Sequence, residues 1–242
     1  MNEKGENEPQ AQLFTWQDCL HYYDISLFSQ AITLEKFIRT ILAFVPRSGT
    51  ILEAGFGSGT TSLLLADLGY QVTAIDIGAE LVDELRGRAR NLANLNVLRA
   101  DMFNLPFQDD SFYAVIHQGV LEHFGDEEIS KALQEQKRVT KRYIIFDVPN
   151  DRVKIPAAVR GTPFDYQLRS KRTWKAFIKD CGLSLEGEYG RGWGYDRLHL
   201  CAAIYNLIPL FCHRRDMAKI NSRFNLLGKW LGRENGFVCS KP

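Results

Sequence analysis

The chain has 242 residues, of which 45% are hydrophobic and 24% charged, and its formal net charge is +1. These values exclude a disordered or collagen-like chain and give no global pull toward nucleic acid, while the length fits one α/β domain with room for a lid. Five scattered cysteines (Cys19, Cys181, Cys201, Cys212, Cys239) show no metal-site spacing, so no metal is expected, only free, mostly buried thiols in a reducing cytoplasm.

The first residues, Met1 to Pro9, are polar and acidic, unlike a signal peptide, and are expected to fray. From Trp16 to Val45 apolar residues recur at helical spacing. Leu27, Ile32, Leu34, Phe37, Ile38, Ile41 and Leu42 suggest a helix packed on a sheet, ended by Pro46 to Gly49. A first strand is expected over 50–54, followed by the glycine turn Gly55-Phe56-Gly57-Ser58-Gly59. Ser58 or Thr60 can cap the next helix, which carries Leu63, Leu64, Leu65 and Leu68 and stops at Gly69. A second strand over 72–75 ends before Asp76. A helix over 79–89 and strands over 96–99 and 112–117 come next. Then follow a helix over 127–136 and a continuously apolar strand over 142–148, as expected of a sheet covered on both faces. Ser170 caps a helix bearing Trp174 and Phe177, Gly182 ends it, and a sixth strand covers 183–189.

Strand, tight glycine turn, helix, then a second strand ending in a carboxylate is the nucleotide-holding half of a doubly wound α/β fold. The dinucleotide fingerprint G-x-G-x-x-G fits poorly. Gly55 and Gly57 match, but the third glycine falls early, at Gly59. Glu53, just ahead of the turn, repels a pyrophosphate and suits a cationic ligand. S-adenosylmethionine carries a sulfonium and an ammonium and no phosphate.

Glu53 through Gly59, Asp76, Ala100-Asp101-Met102, Leu105-Pro106-Phe107 through Phe112, and Gly119-Val120-Leu121-Glu122-His123-Phe124 occur in one order along the chain. In that order the sequence resembles the class I S-adenosylmethionine-dependent methyltransferases, most closely their small-molecule branch, densely over residues 45 to 150. The resemblance implies a Rossmann-like seven-stranded sheet, mostly parallel, whose last strand is an antiparallel edge strand. That closing strand falls on 235–242. The chain then divides into an N-terminal helical cap (1–45), a cofactor-binding core (46–190), a helical lid insertion (191–234) and the closing strand.

By the same resemblance Gly57 and Ser58 N–H groups face the methionine end of the ligand, Asp76 accepts the ribose hydroxyls and Ile77 packs on the adenine. Asp101 accepts the adenine amino group, Met102 and Phe103 line the base, and the Gln118 carbonyl, beside Gly119, accepts from the ligand ammonium. Tyr22, Tyr23 and Trp16 belong to a segment that often covers the cofactor in this family. Methyl transfer is a direct displacement that chiefly requires alignment, and a base only where the nucleophile must lose a proton. His123 and His117, with Glu122 beside them, are the candidates.

The insertion's first helix, Leu198 to Phe211, is apolar nearly all round and interrupted by Pro209. It needs a partner surface. It is expected to roof the acceptor pocket, with Trp193, Tyr195, Tyr205 and Phe211 lining it. With the basic stretch after Cys212, it also suits peripheral contact with a membrane. Residues 137 to 175 are rich in Lys and Arg, which reads first as a solvated face. The expected activity is methyl transfer to a small-molecule acceptor, with a catalytically silent, cofactor-binding scaffold as the alternative.

Overall fold

The computed structural model describes residues 27–151, 160, 165–193 and 232–242. Helix α1 (Leu27–Phe44) precedes β1 (Thr50–Ala54), α2 (Thr60–Asp67), β2 (Gln71–Asp76), α3 (Ala79–Arg88), β3 (Leu95–Arg99) and β4 (Phe112–Gln118). A short 3₁₀ turn (Leu121–His123) leads to α4 (Asp126–Val139), β5 (Thr140–Pro149), α5 (Lys171–Asp180), β6 (Ser184–Trp193) and β7 (Gly232–Ser240). The seven strands form one sheet in the order β3-β2-β1-β4-β5-β7-β6. β1 through β5 pair in parallel, while β7 runs antiparallel to both β5 and β6. The closing strand is therefore antiparallel as expected, but it is not at the edge. It inserts between β5 and β6, and β6 forms the edge.

Side-chain alternation sends each strand's residues to two cores. Ile51, Val72, Ala74, Ala114, Ile116, Ile145 and Val238 pack under Phe37, Ile38 and Ile41 of α1 and under α2 and α3. Leu52, Ile75, Val115, Ile144, Phe146, Val148 and Phe237 pack under α4 and α5 around Trp174. Leu42, read with the buried stripe of α1, is instead 40% exposed. Strand β5 shows why its run is continuously apolar: Ile144 through Val148 are all buried, serving both faces in turn.

The helix ends follow local rules, with one exception. Gly69 (φ 89°) closes α2, its N–H donating to the Ala66 carbonyl and the Tyr70 N–H to Leu65. Gly182 closes α5 in the same way through Lys179 and Ile178, and the Ser170 hydroxyl accepts from the Thr173 N–H at 3.2 Å. At the start of α2, neither Ser58 nor Thr60 caps. The cap is Gly59 in the left-handed region, without a side-chain bond, and the two hydroxyls lie 3.0 Å from each other.

Two basic residues at the start of the stretch after residue 136 are used structurally. Lys137 Nζ donates to the Cys181 and Gly182 carbonyls at the end of α5. Arg138 bonds Glu135, Asp109 and the Leu105 and Phe107 carbonyls. Cys181 and Cys239 are free and buried, and burial raises both thiol pKa values. Trp16, Tyr22, Tyr23 and most of the expected lid, with Tyr195, Tyr205 and Phe211, lie outside the described residues, while the two ends of that 191–234 segment are strand, 191–193 in β6 and 232–234 in β7. Trp193 is the last residue of β6.

Candidate active site

Parallel strands bring their carboxyl ends to one edge of the sheet, and the crevice there is where open α/β sheets take ligands. Glu53 on β1, Asp76 on β2, Asp101 just beyond β3 and Gln118 on β4 all reach that edge. The turn between β1 and α2 is held by three left-handed glycines, Gly55 (φ 78°), Gly57 (53°) and Gly59 (69°), a conformation that side chains resist. They differ in what surrounds them. A Cβ on Gly55 would lie 3.0 Å from Val120, and one on Gly59 2.5 Å from Leu85. One on Gly57 would meet nothing within 4 Å among the described residues. The outer glycines are packed, and the middle one faces open space that a ligand can approach.

Asp76 ties this turn to its own. Its Oδ2 accepts from the Gly57 N–H at 3.2 Å and its Oδ1 from the Gly78 N–H at 3.0 Å. The Gly57 N–H, expected to face a ligand, is thus directed at Asp76. Each carboxylate oxygen keeps a second lone pair, so the side chain can still accept a pair of hydroxyls. Burial raises its pKa, against the pull of these backbone donors.

Glu53 is 3% exposed and accepts a short hydrogen bond from the Ser62 hydroxyl in the first turn of α2. Burial pushes its carboxyl up to about 8, with Ser62 opposing and Asp76 adding to the rise. Sequence reasoning reads Glu53 as a standing negative charge. In the structure it is a buried carboxyl that holds its proton near neutrality unless a cation approaches.

Asp101 Oδ1 accepts from the Phe103 N–H at 2.9 Å, which shapes the turn carrying Met102 and Phe103. Met102 is buried in the core, whereas Phe103 is half-buried and packs edge-on against Phe124 at 4.9 Å. Ile77 is 63% exposed. An apolar side chain that open, beside Asp76, fits a platform for a flat base. At the end of β4, Gly119 (φ 65°) donates its N–H to the Asp147 carbonyl at 3.1 Å, and Gln118 Nε2 donates to Asp147 Oδ2 at 3.2 Å.

The two histidines part company. His117, expected at the mouth of the site, is fully buried and stacked on Phe146 at 5.0 Å. Burial drives its pKa down to about 3, against a weaker pull from Gln136, so the ring stays neutral. Alternation along β4 turns it into the core, which makes it a packing residue. His123 lies at the rim, with Nδ1 at 2.9 Å from the Asp165 carbonyl. A carbonyl only accepts, so Nδ1 is the donor and Nε2 is the nitrogen left to face a ligand. Arg169 pins the same segment, donating to Asp126 Oδ1 at 2.9 Å and the Phe124 carbonyl at 2.8 Å.

Sequence reasoning missed Ser62, Asp165 and Asp147. The signal for Asp147 was present: like Asp76, it is a carboxylate near the carboxyl end of an apolar strand. Among the described residues no group of three or more His, Cys, Asp or Glu is placed to hold a metal ion. No described helix is long and apolar enough to cross a membrane.

A methyltransferase domain family matches residues 51–143. An uncharacterised methyltransferase of Staphylococcus carnosus is 35% identical over 86 residues, 36% of this chain and 39% of that protein. The first curated relatives are matched over less than two thirds of their own length. A demethylmenaquinone methyltransferase of Beutenbergia cavernae is 30% identical over 220 residues, covering 80% of this chain and 88% of that protein. Among solved structures, an S-adenosylmethionine-dependent methyltransferase from Aquifex aeolicus superposes with a TM-score of 0.63 over 95% of this chain and all of that one, at 16% identity. At that identity the likeness shows the fold.

Proposed function

The chain belongs to the class I S-adenosylmethionine-dependent methyltransferases, and from that premise we propose that it transfers the cofactor's methyl group to a small-molecule acceptor by direct displacement at the sulfonium. The observation that carries this reading is the strand-end set. An open glycine face at Gly57, a carboxylate with lone pairs to give at Asp76 and an exposed apolar platform at Ile77 fit the ribose and adenine of the cofactor. S-adenosylmethionine supplies the electrophilic methyl when bound.

The residues of the chain do the rest. Asp76 accepts the ribose hydroxyls, and Asp101, through the oxygen not shaping its turn, accepts the adenine amino group. Phe103 lines the base, and Met102 backs it from the core. Gly55 and Gly59 hold the turn in shape while Gly57 and Ser58 line its open side. Gln118 and Gly119 would hold the methionine end, with the buried Glu53 carboxyl on the neighbouring strand end. Of the two histidines that the sequence offers, His123, at the rim, is the base of this reading, acting through Nε2, because His117 is buried in the core. The lid segment with Trp193, Tyr195, Tyr205 and Phe211 is proposed to roof an acceptor that is at least partly apolar.

Relatives named for demethylmenaquinone and for malonyl-[acyl-carrier protein] suggest small-molecule acceptors of unlike chemistry. Mass spectrometry of the chain incubated with S-adenosylmethionine and demethylmenaquinone, and separately with metabolite extracts, should show a product heavier by one methylene unit. Cofactor binding without a methylated product in any mixture would favour the silent scaffold.

A further inference from the structure

The cofactor-facing positions run in one direction across the sheet: Asp101 after β3, Asp76 on β2, the glycine turn after β1 and Gln118 on β4. Adenine, ribose and methionine follow that order, so whatever receives the methyl lies beyond β4. The strands beyond it are β5, β7 and β6.

One lateral row crosses them. Gln118 pairs with Asp147, Asp147 with Gly236, and Gly236 with Tyr189. All four share a face, because Ile145 and Val238, each two residues away along its strand, belong to the core under α1. Asp147 is fully buried and Tyr189 is 6% exposed. Gln118, half-buried at the rim, joins the row to the crevice through its bond to Asp147 Oδ2.

Gly236 makes the row geometrically feasible. A Cβ there would lie 2.1 Å from Tyr189 Cζ and 2.2 and 2.4 Å from its two Cε atoms. Gly236 is not among the glycines of positive φ, so the backbone does not require glycine. The ring does. The atoms nearest to Gly236 are those at the hydroxyl end, so the ring crosses β7 and carries its hydroxyl toward β5, the strand of Asp147.

We propose that Gln118, Asp147 and Tyr189, laid side by side by Gly236, form the subsite for the acceptor's nucleophilic group, and that this group is a hydroxyl or amine that donates a hydrogen bond. The proposal rests on the methyltransferase reading, which fixes where the cofactor's methyl end lies. Carboxyl and phenol oxygens accept from an O–H or N–H, so the Asp147 and Tyr189 oxygens suit an acceptor group that donates one.

Sinefungin tests this without knowledge of the acceptor, because it carries a carbon-bound ammonium where the transferred methyl sits. By titration calorimetry the intact chain should prefer sinefungin to adenosylhomocysteine by at least about tenfold, because its ammonium would donate to the Asp147 and Tyr189 oxygens. Asp147→Asn should remove most of that preference while adenosylhomocysteine affinity stays within about twofold, a difference well under 1 kcal/mol. Tyr189→Phe keeps the ring and should lower the preference by a smaller factor. It carries the test alone if Asp147→Asn does not fold. Equal affinities in the intact chain, or a preference unchanged in the folded variants, overturn the subsite and leave the cofactor reading standing. Binding of neither ligand overturns both.

Discussion

The two sides of the sheet are built by different means. On the β3-β2-β1-β4 side all pairings are parallel, and each residue proposed to face the ligand sits at or just past the end of its own strand. Turn geometry there is set by left-handed glycines that act on their own backbone. On the β5-β7-β6 side the useful residues meet only through register, and the glycine that matters acts on another strand's ring. A cofactor side can thus be specified by short stretches of chain, whereas the opposite side depends on contacts between distant ones.

The sharpest way to break this contrast is a pair of glycine substitutions followed by urea unfolding. Gly236→Ala should destabilise by about 3 kcal/mol or more, since ring and methyl cannot share the space. Set against Tyr189→Ala alone, adding Gly236→Ala should then be nearly neutral. Gly59→Ala should lose a similar amount through Leu85. There, adding Leu85→Ala should restore only part, because about 1–2 kcal/mol of left-handed strain remains. Full rescue at Gly59, or none at Gly236, would show that the distinction between backbone and packing glycines is misplaced.

That contrast also explains what the sequence alone could reveal. The glycine turn, the places of Asp76 and Asp101 at strand ends and the succession of strands along the chain through β5 were legible because each is a local pattern of period and punctuation. The caps at Ser58 and Thr60 failed because Gly59 takes the left-handed conformation and leaves both hydroxyls bonded to each other. His117 failed for a register reason: one residue earlier than Gln118, it faces the opposite side of the sheet. The interior place of β7, and with it the Asp147–Gly236–Tyr189 row, depends on antiparallel pairing across the chain, which periodicity does not encode. Glu53 was found but given the wrong resting state, since only the fold shows that α2 buries it under Ser62.

A somewhat smaller effect sharpens the picture on the cofactor side. The Glu53 carboxyl is held at about 8 in the folded chain against an ordinary value of 4.5. Between those values the folded state keeps a proton that the unfolded state releases, so ligand-free stability falls as pH rises, by about 1.4 kcal/mol for each unit that separates the two. Below pH 4.5 the penalty is absent, and above about 8 it is complete. Glu53→Gln should flatten the profile between pH 5 and 8 and exceed the intact chain in Tm at about pH 8.5, with the glutamine amide hydrogen-bonded in its place. An unchanged profile would mean that Glu53 is solvated rather than buried.

The central claim is that the β3-β2-β1-β4 side holds S-adenosylmethionine through its strand ends. Titration calorimetry with adenosylhomocysteine and NAD, on the intact chain and on Asp76→Ala, tests it most directly. The account predicts binding of adenosylhomocysteine, no comparable affinity for NAD, and an affinity at least about tenfold lower in Asp76→Ala, the size expected for lost hydrogen bonds to a charged group. Tighter binding of NAD than of adenosylhomocysteine, or an unchanged affinity in a folded Asp76→Ala chain, would contradict it.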